Sequence, residues 1–587
     1  RWTQVPRRIL AFYYTWYGTP ERQGEWIHWR DVKPEEGDIA TSTHYPVLGA
    51  YDSFDPEIIE THIRQAQENG VDGFICTWWG PHSYDDRAMR RVLEHAAAAD
   101  FEISAYIEQV PGAGPDQVEK GVADLLYLLE SYGDHPAFLN VEGKPVFFVY
   151  GRAMNQVSLR SWAAIIREAR RRSGRDFLLI ADGYKESYAR VFDGLHTYNI
   201  AGWAKGRTAD EIQRLSEEKF DTAVETARKS GGVSCLTLIP GYDDTKIRDP
   251  GIRVKRWGGE TYRVLWQQAI EADPDWVLIT SWNEWHEGSE IEPSREHGDA
   301  YLELTRQFAA QFKQTPFSRS SVEPTRLDVT PEQARRLRDL YGDRRIGLLP
   351  DFSSDLPFWL AETGLPLREW TWTDLVEPGA LTPESCPVLI YASGETYTRT
   401  VDREGDVDRA LTEYLRAGGV LVVVPSLPYP FYYARARGPV AAANRFGLPI
   451  AGSGEFGRVD VPEWANVKGW ETPPEDRELV FRFDIDRMPG LAARVPFPDH
   501  GDLRWRPVTP AGVSEGDLYI PLARLVDAEG RFYGDGACLI RHRVSEPVGG
   551  TVLYSWMRVG DIVDRGVYYA HLLRLAAEHA SESAGSR

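Results

Sequence analysis

At 587 residues the chain is longer than one hydrophobic core normally serves, so two or more domains are expected. Its 42% hydrophobic and 26% charged residues have the balance of a globular protein. The net charge of −21 argues against a nucleic-acid partner, because phosphate binding needs clustered Lys and Arg.

The opening "RWTQVPRRIL" leads straight into a strand and carries no signal-peptide pattern. The longest apolar runs, such as "GVLVVVP", are strand-sized, so no membrane span is expected. Cys76, Cys235, Cys386 and Cys538 are dispersed among apolar residues and read as buried thiols, not a zinc site or a disulfide framework.

Eight short β-branched or aromatic runs follow in order: "RRILAFYYTW", "VDGFICTWW", "EISAYIEQV", "PVFFVYG", "FLLIADG", "GLHTYNI", "VSCLTLIPG" and "DWVLITSWNEW". Most are nearly continuously apolar, as parallel strands covered on both faces are. Helical patterns separate them. In "FDPEIIETHIRQAQENG", Asp55 suits the cap, Pro56 the first turn and Gly70 the exit, while Ile58, Ile59, Ile63 and Ala66 form one stripe. Eight such units predict a (β/α)8 barrel over residues 1–315.

Active sites of such barrels sit at the C-terminal strand ends. Those ends read Tyr14, Trp16 and Tyr17; Trp78 and Trp79; Glu108; Tyr150; Asp182; Tyr198; Tyr242; then Glu284 and Glu287. Polar and aromatic residues around one mouth describe a cleft for a polyhydroxylated ligand.

The stretch "PFSRSSVEPTR" (316–326) reads as a linker, placed with a helix in residues 316–343. Residues 344–587 alternate strands and helices again and predict a smaller doubly wound α/β domain, with a β-rich insertion at about 435–545. That domain resembles glutamine-amidotransferase-like modules but lacks their Cys nucleophile elbow. "YASGE" and "VPSLP" stand where such chemistry would sit, so a structural or substrate-presenting role is expected.

Two carboxylates are the usual equipment for cleaving a glycosidic bond. Glu284 and Glu287 are three residues apart, which on a straight strand would face them oppositely. If the chain turns after Trp285, both face the mouth; otherwise the acids are a solvated loop. Glu290 and Glu292 are placed outside the reacting pair or on the surface. Glu108 stands in an apolar strand, where an unpartnered carboxyl is costly, so a ligand-facing role is favoured. His28 and His44 are either substrate contacts or loop residues.

Other chemistries fit poorly. "GVSEG" leads into a strand, whereas a serine-hydrolase elbow opens a helix. Asp243 and Asp244 lack a surrounding oxygen-ligand loop, so no metal is expected. No Gly-rich phosphate loop is present, and no cofactor is expected.

The stretches "AFYYTWYGTPERQGEWIHW", "HYPVLGAYDSFDP", "PGYDDTKIR", "RWGGETY" and above all "SWNEWHEGSEIEP" resemble glycoside hydrolase family 99, the endo-α-mannosidases and endo-α-mannanases. The resemblance covers residues 9 to about 310. It implies a (β/α)8 barrel that cleaves α-mannosidic linkages within a chain, with retention, acting on an α-linked oligo- or polysaccharide. It implies an unusual route in which Glu284 is the base on the sugar's own 2-hydroxyl, giving a 1,2-anhydro sugar, and Glu287 is the acid/base. Tyr198 would contact the cleaved sugar, and Trp78 or Trp79 would wall the preceding subsite. The matched motifs also make Tyr45, Arg248, Trp282 and Asn283 substrate contacts. Gln109 follows Glu108 where the family has Pro; Trp282 stands where Phe is common, and Thr15 where Pro is. A related α-glycosidase, exo-acting because of the second domain, and a non-catalytic carbohydrate-binding protein are the alternatives. A polymeric substrate would favour export; imported oligosaccharides would allow a cytoplasmic enzyme.

Overall fold

The computed structural model describes residues 4–585 except 113, 230, 315–317, 320–328, 351–355, 394–395, 425–430, 435–437, 442–444, 449–477, 497–507, 558–561 and 563. The chain divides into two compact units, Arg1–Thr325 and Arg326–Arg587. Apart from Ser318 and Arg319, the linker stretch 316–326 lies outside the described residues.

The first unit is a closed barrel of eight parallel strands: β1 (Arg8–Tyr13), β2 (Gly73–Trp78), β3 (Glu102–Ile107), β4 (Lys144–Val149), β5 (Leu178–Asp182), β6 (Gly194–His196), β7 (Val233–Leu238) and β8 (Trp276–Ile279). β8 pairs with β1 through Ile279↔Ala11, and β3 pairs with β4 through Ile107↔Val149, so the sheet has no open edge there. Leu10, Phe12, Ile75, Tyr106, Phe148 and Leu278 belong to its buried core. All eight apolar runs read from the sequence form these strands, because each is buried on both faces.

Alternation along each strand sends neighbours to opposite faces. Ile75 joins the barrel core, while Phe74 points outward and stacks on Tyr13 at 4.4 Å. The helix α1 (Pro56–Glu68) lies over this face and starts at Asp55, whose side chain accepts from the Glu57 N–H. His62 joins its buried stripe, which the sequence pattern did not include. All four cysteines are free and buried.

In the second unit a mixed sheet holds β9 (Ile346–Leu348), β10 (Leu367–Glu369), β11 (Val388–Tyr391), β12 (Val420–Val423), β13 (Val480–Phe483), β14 (Arg494–Pro496), β15 (Leu518–Val526), β16 (Phe532–Arg541) and β17 (Thr551–Ser555). Its order is β10-β9-β11-β12-β17-β16-β15-β13-β14. The first five are parallel in doubly wound order. The described strands between 480 and 541 extend this sheet antiparallel, beginning with β17 against β16. No described helix is long and apolar enough to cross a membrane.

Candidate active site

After β8 the chain turns instead of continuing. The Trp282 N–H still donates to the Phe12 carbonyl at 2.8 Å; then the Ile291 N–H donates to the Ser281 carbonyl at 2.9 Å, closing a loop. Within the loop a 3₁₀ turn, Trp285–Glu287, ends at Gly288 with φ 56°. A Cβ there would lie 3.2 Å from the Asp243 carbonyl oxygen, so conformation and space both favour glycine. Two acids three residues apart therefore line the same cavity, of about 400 Å³, at the C-terminal mouth of the barrel.

Their surroundings differ. Glu287 is held by the protein: its Oε2 accepts from the Tyr198 hydroxyl at 3.0 Å and its Oε1 from both Arg248 terminal nitrogens at 3.1 Å. Arg248 is itself fixed by Asp244 and by the Tyr242 hydroxyl oxygen. Glu284 is 4% exposed and accepts one backbone bond, from the His286 N–H at 3.2 Å. Burial, reinforced by the charge of Glu287, pushes its carboxyl well above the usual range; the His286 N–H opposes this more weakly.

Glu108 lines the same cavity, and its Oε1 accepts from the Thr77 hydroxyl at 2.7 Å. Burial raises its carboxyl to about 8 despite that bond and the nearby Arg152. The Trp79 indole N–H donates to the Thr77 hydroxyl at 3.1 Å, and Arg152 lies 4.8 Å above the Trp79 ring. On the other wall Trp16 packs on Tyr14 at 4.4 Å and on His28 at 4.0 Å. His28 is exposed to the open cavity yet enclosed by protein; burial, with His286 and Arg30 near, lowers it to about 3.

Of the residues singled out from the sequence, Tyr14, Trp16, His28, Trp79, Glu108, Tyr150, Tyr198, Arg248, Glu284 and Glu287 line this cavity. The others are placed differently. Trp78 points away from it, its indole N–H donating 2.8 Å to Asp86 on α2 (Tyr84–Ala99). The Tyr17 hydroxyl donates to the Asn283 carbonyl at 2.8 Å, and the Asn283 amide pairs with the Tyr14 backbone, so both brace the loop from behind. Tyr45 is buried beneath Arg295, which lies 4.2 Å from its ring centre. His44 and Tyr242 line a separate hollow of about 180 Å³, where His44 meets Glu290 at 2.6 Å.

Trp282 has no exposed surface and packs against Phe74 at 5.1 Å and His62 at 5.7 Å, outside the barrel. Its indole N–H has no partner among the described residues. Trp282→Phe is therefore expected to lower stability by about 1–2 kcal/mol and to leave KM within twofold. Thermal unfolding and initial rates check this; an unchanged Tm with a raised KM would place the ring against substrate.

Glu290 and Glu292 are not on the surface. Glu292 is 2% exposed and ties Tyr51, His62 and Trp285 together at 2.7, 3.0 and 3.1 Å. Arg256 and His44 hold Glu290. Arg30, Thr41, Arg152, Ile247 and His286 also line the cavity without having been singled out. Most come from loops, where side-chain period carries no direction.

A (β/α)8 barrel whose strand ends bring two differently held carboxylates and aromatic walls onto one polar cavity is the architecture of a glycoside hydrolase. The chain belongs to glycosyl hydrolase family 99, whose profile matches residues 5–308. It is 28% identical over 357 residues to the glycoprotein endo-alpha-1,2-mannosidase of Mus musculus, covering 52% of this chain and 74% of that protein. It is 29% identical over 359 residues to the glycoprotein endo-alpha-1,2-mannosidase-like protein of Homo sapiens, covering 52% and 75%. The solved GH99 endo-alpha-mannosidase of Bacteroides thetaiotaomicron is 31% identical, covering 52% of this chain and 98% of that one, with a TM-score of 0.45. The chain is thus a glycoside hydrolase with a glycan substrate.

Proposed function

We propose that this enzyme cleaves α-mannosidic linkages within a glycan, with retention, through a 1,2-anhydro sugar. The observation that carries the reading is the pair itself: Glu284 is buried with one backbone donor, whereas Glu287 is positioned by Arg248 and Tyr198. The names of the mouse and human relatives supply the sugar and the endo action.

In the first step Glu284 takes the proton of the 2-hydroxyl, O2 attacks C1, and the C1–oxygen bond to the leaving sugar breaks. Glu287 gives its proton to the departing oxygen. In the second step Glu287 removes a proton from water, the water oxygen attacks C1, the C1–O2 bond opens, and Glu284 returns its proton to O2. Two inversions at C1 leave the configuration unchanged. Burial and the charge of Glu287 favour a proton on Glu284. A bound 2-hydroxyl donating to that carboxylate favours its ionised form, so substrate helps set the working protonation of Glu284.

Proton NMR of the enzyme with α-1,2-, α-1,3- and α-1,6-linked manno-oligosaccharides tests the reading. Early appearance of the α-anomer of a di- or trisaccharide is expected. A first-formed β-anomer, release of single sugars alone, or no cleavage of any α-mannoside would overturn it.

A further inference from the structure

Two arginines that line the catalytic cavity, Arg30 and Arg152, are exposed and form no ion pair or hydrogen bond among the described residues. Arg248, Arg253 and Arg256, in the segment after β7, each meet a carboxylate instead. The chain holds 88 Asp and Glu against 67 Lys and Arg, so acids to pair with are abundant, yet these two guanidinium groups stay open. We propose that they recognise a negatively charged group on the glycan, which makes the substrate an anionic α-mannoside carrying a phosphate or a carboxylate. The proposal rests on the mannosidase reading above and adds the charge of its substrate.

Arg152, on the short helix Gly151–Gln156, lies 4.8 Å from the Trp79 ring centre and 5.8 Å from that of Tyr150. Packing on a ring uses the face of the guanidinium, while its five N–H groups lie in the plane and stay available. That planar fork matches two oxygens of a phosphate or a carboxylate. Arg30 stands at the His28 wall. Burial first, and neighbouring charges that include Arg30, hold the His28 and His286 imidazoles below their ordinary value, with His28 at about 3. Both rings are therefore neutral near pH 7, and the positive charge of this corner is that of Arg30.

The carboxylates of the cavity leave these charges uncancelled. Glu287 faces Arg248, and Glu108, raised to about 8 chiefly by burial, keeps its proton at neutral pH. A neutral glycan would draw only ordinary hydrogen bonds from the two arginines. An anionic one draws charge-assisted bonds, which are about twice as strong. The net charge of −21 repels such a glycan at long range, and a locally positive mouth gives it a place to enter.

The test uses matched α-manno-oligosaccharides: neutral, phosphorylated at the 6-hydroxyl of one sugar at a time, or oxidised there to the carboxylate. At least one charged form should be cleaved by the wild type with kcat/KM about tenfold or more above the neutral one. A gain for phosphate alone identifies a phosphorylated glycan, and a gain for both groups one that bears carboxylates as well. Because both arginines line the site, each variant is read as the ratio of charged to neutral kcat/KM, in which a loss common to the two substrates cancels. Arg30→Gln or Arg152→Gln, whichever faces the charged group, should remove most of the ratio, and the double variant should bring it to about one. The matching Lys variant should keep part of it, because the charge remains and the fork is lost. Raising the salt from about 0.01 to about 1 M shortens the screening length from about 30 to about 3 Å and should lower the wild-type ratio. A neutral oligosaccharide cleaved as well as every charged form, or a full ratio in the double variant, would overturn the proposal. In either case cleavage of the neutral oligosaccharide leaves the mannosidase reading standing; no cleavage of any member of the set would fell both.

Discussion

Glu287→Gln is expected to lower kcat/KM on α-manno-oligosaccharides by roughly 10²–10⁴-fold, the range a positioned general acid contributes. The amide oxygen can still accept from Arg248 while its NH2 donates to the Tyr198 hydroxyl oxygen, so the loop and cavity should keep their shape. What it cannot do is give a proton to a departing sugar oxygen. A glycosyl fluoride needs no such proton, and kcat/KM reports only the steps through departure of the leaving group. The deficit on an α-mannobiosyl fluoride should therefore be much smaller than on the oligosaccharide. Equal deficits on the two substrates would show that Glu287 does not act as the acid. Arg248 explains why the environment must be kept while the carboxyl is changed: it contacts Glu287 and Asp244 together, so truncating either acid also releases the guanidinium.

The barrel was legible because its signal is redundant: eight apolar runs, each buried on both faces, alternate with helical stripes. The paired acids were legible because their neighbours are tryptophans at the end of such a run. What failed was direction. Trp78 and Trp79 are adjacent, yet one bonds to Asp86 behind the strand and the other faces the cavity. Strand parity separates them once Phe74 is known to point outward, because Phe74 and Trp78 share a parity. The amino-acid sequence supplies the parity but not which side encloses the barrel. Tyr17, Trp282 and Asn283 mislead for a related reason. Rings and amides that look suited to sugar also suit bracing a loop, and in this fold they reach Tyr51, His62 and the Tyr14 backbone. Arg30 and Arg152 come from a loop and a short helix whose course depends on the finished barrel. In the β-rich insertion, alternation announces the strands, but which sheet edge they join is a non-local choice that the pattern does not carry.

Glu284→Gln is expected to abolish turnover and to stabilise the folded barrel. On the proposed route the base acts on the sugar's own 2-hydroxyl, so an amide blocks the attack of O2 whatever the leaving group. The fluoride should rescue nothing, in contrast to Glu287→Gln. The stability effect follows from burial. Glu284 has a folded-state pKa well above its unfolded one, because burial and Glu287 both oppose its charge. Its contribution is fully favourable below the unfolded value and is lost as pH rises through the folded value. The advantage of the neutral amide should therefore be small near pH 4 and grow toward pH 8, raising the Tm by roughly 2 °C or more per kcal/mol. Glu108→Gln should behave alike, its window running from the ordinary carboxylate value of 4.5 up to about 8. Scanning calorimetry at pH 5 and pH 8 reads both variants directly. A Glu284→Gln enzyme less stable than wild type at pH 8 would mean that the carboxylate is better solvated in the cavity than its enclosure indicates. The same raised carboxyl sets the acid limb of kcat/KM, because the base must be ionised; that limb should fall above the ordinary carboxylate range. Function and stability thus oppose each other at this residue: the burial that makes Glu284 a stronger base is what the folded barrel gives up stability to hold.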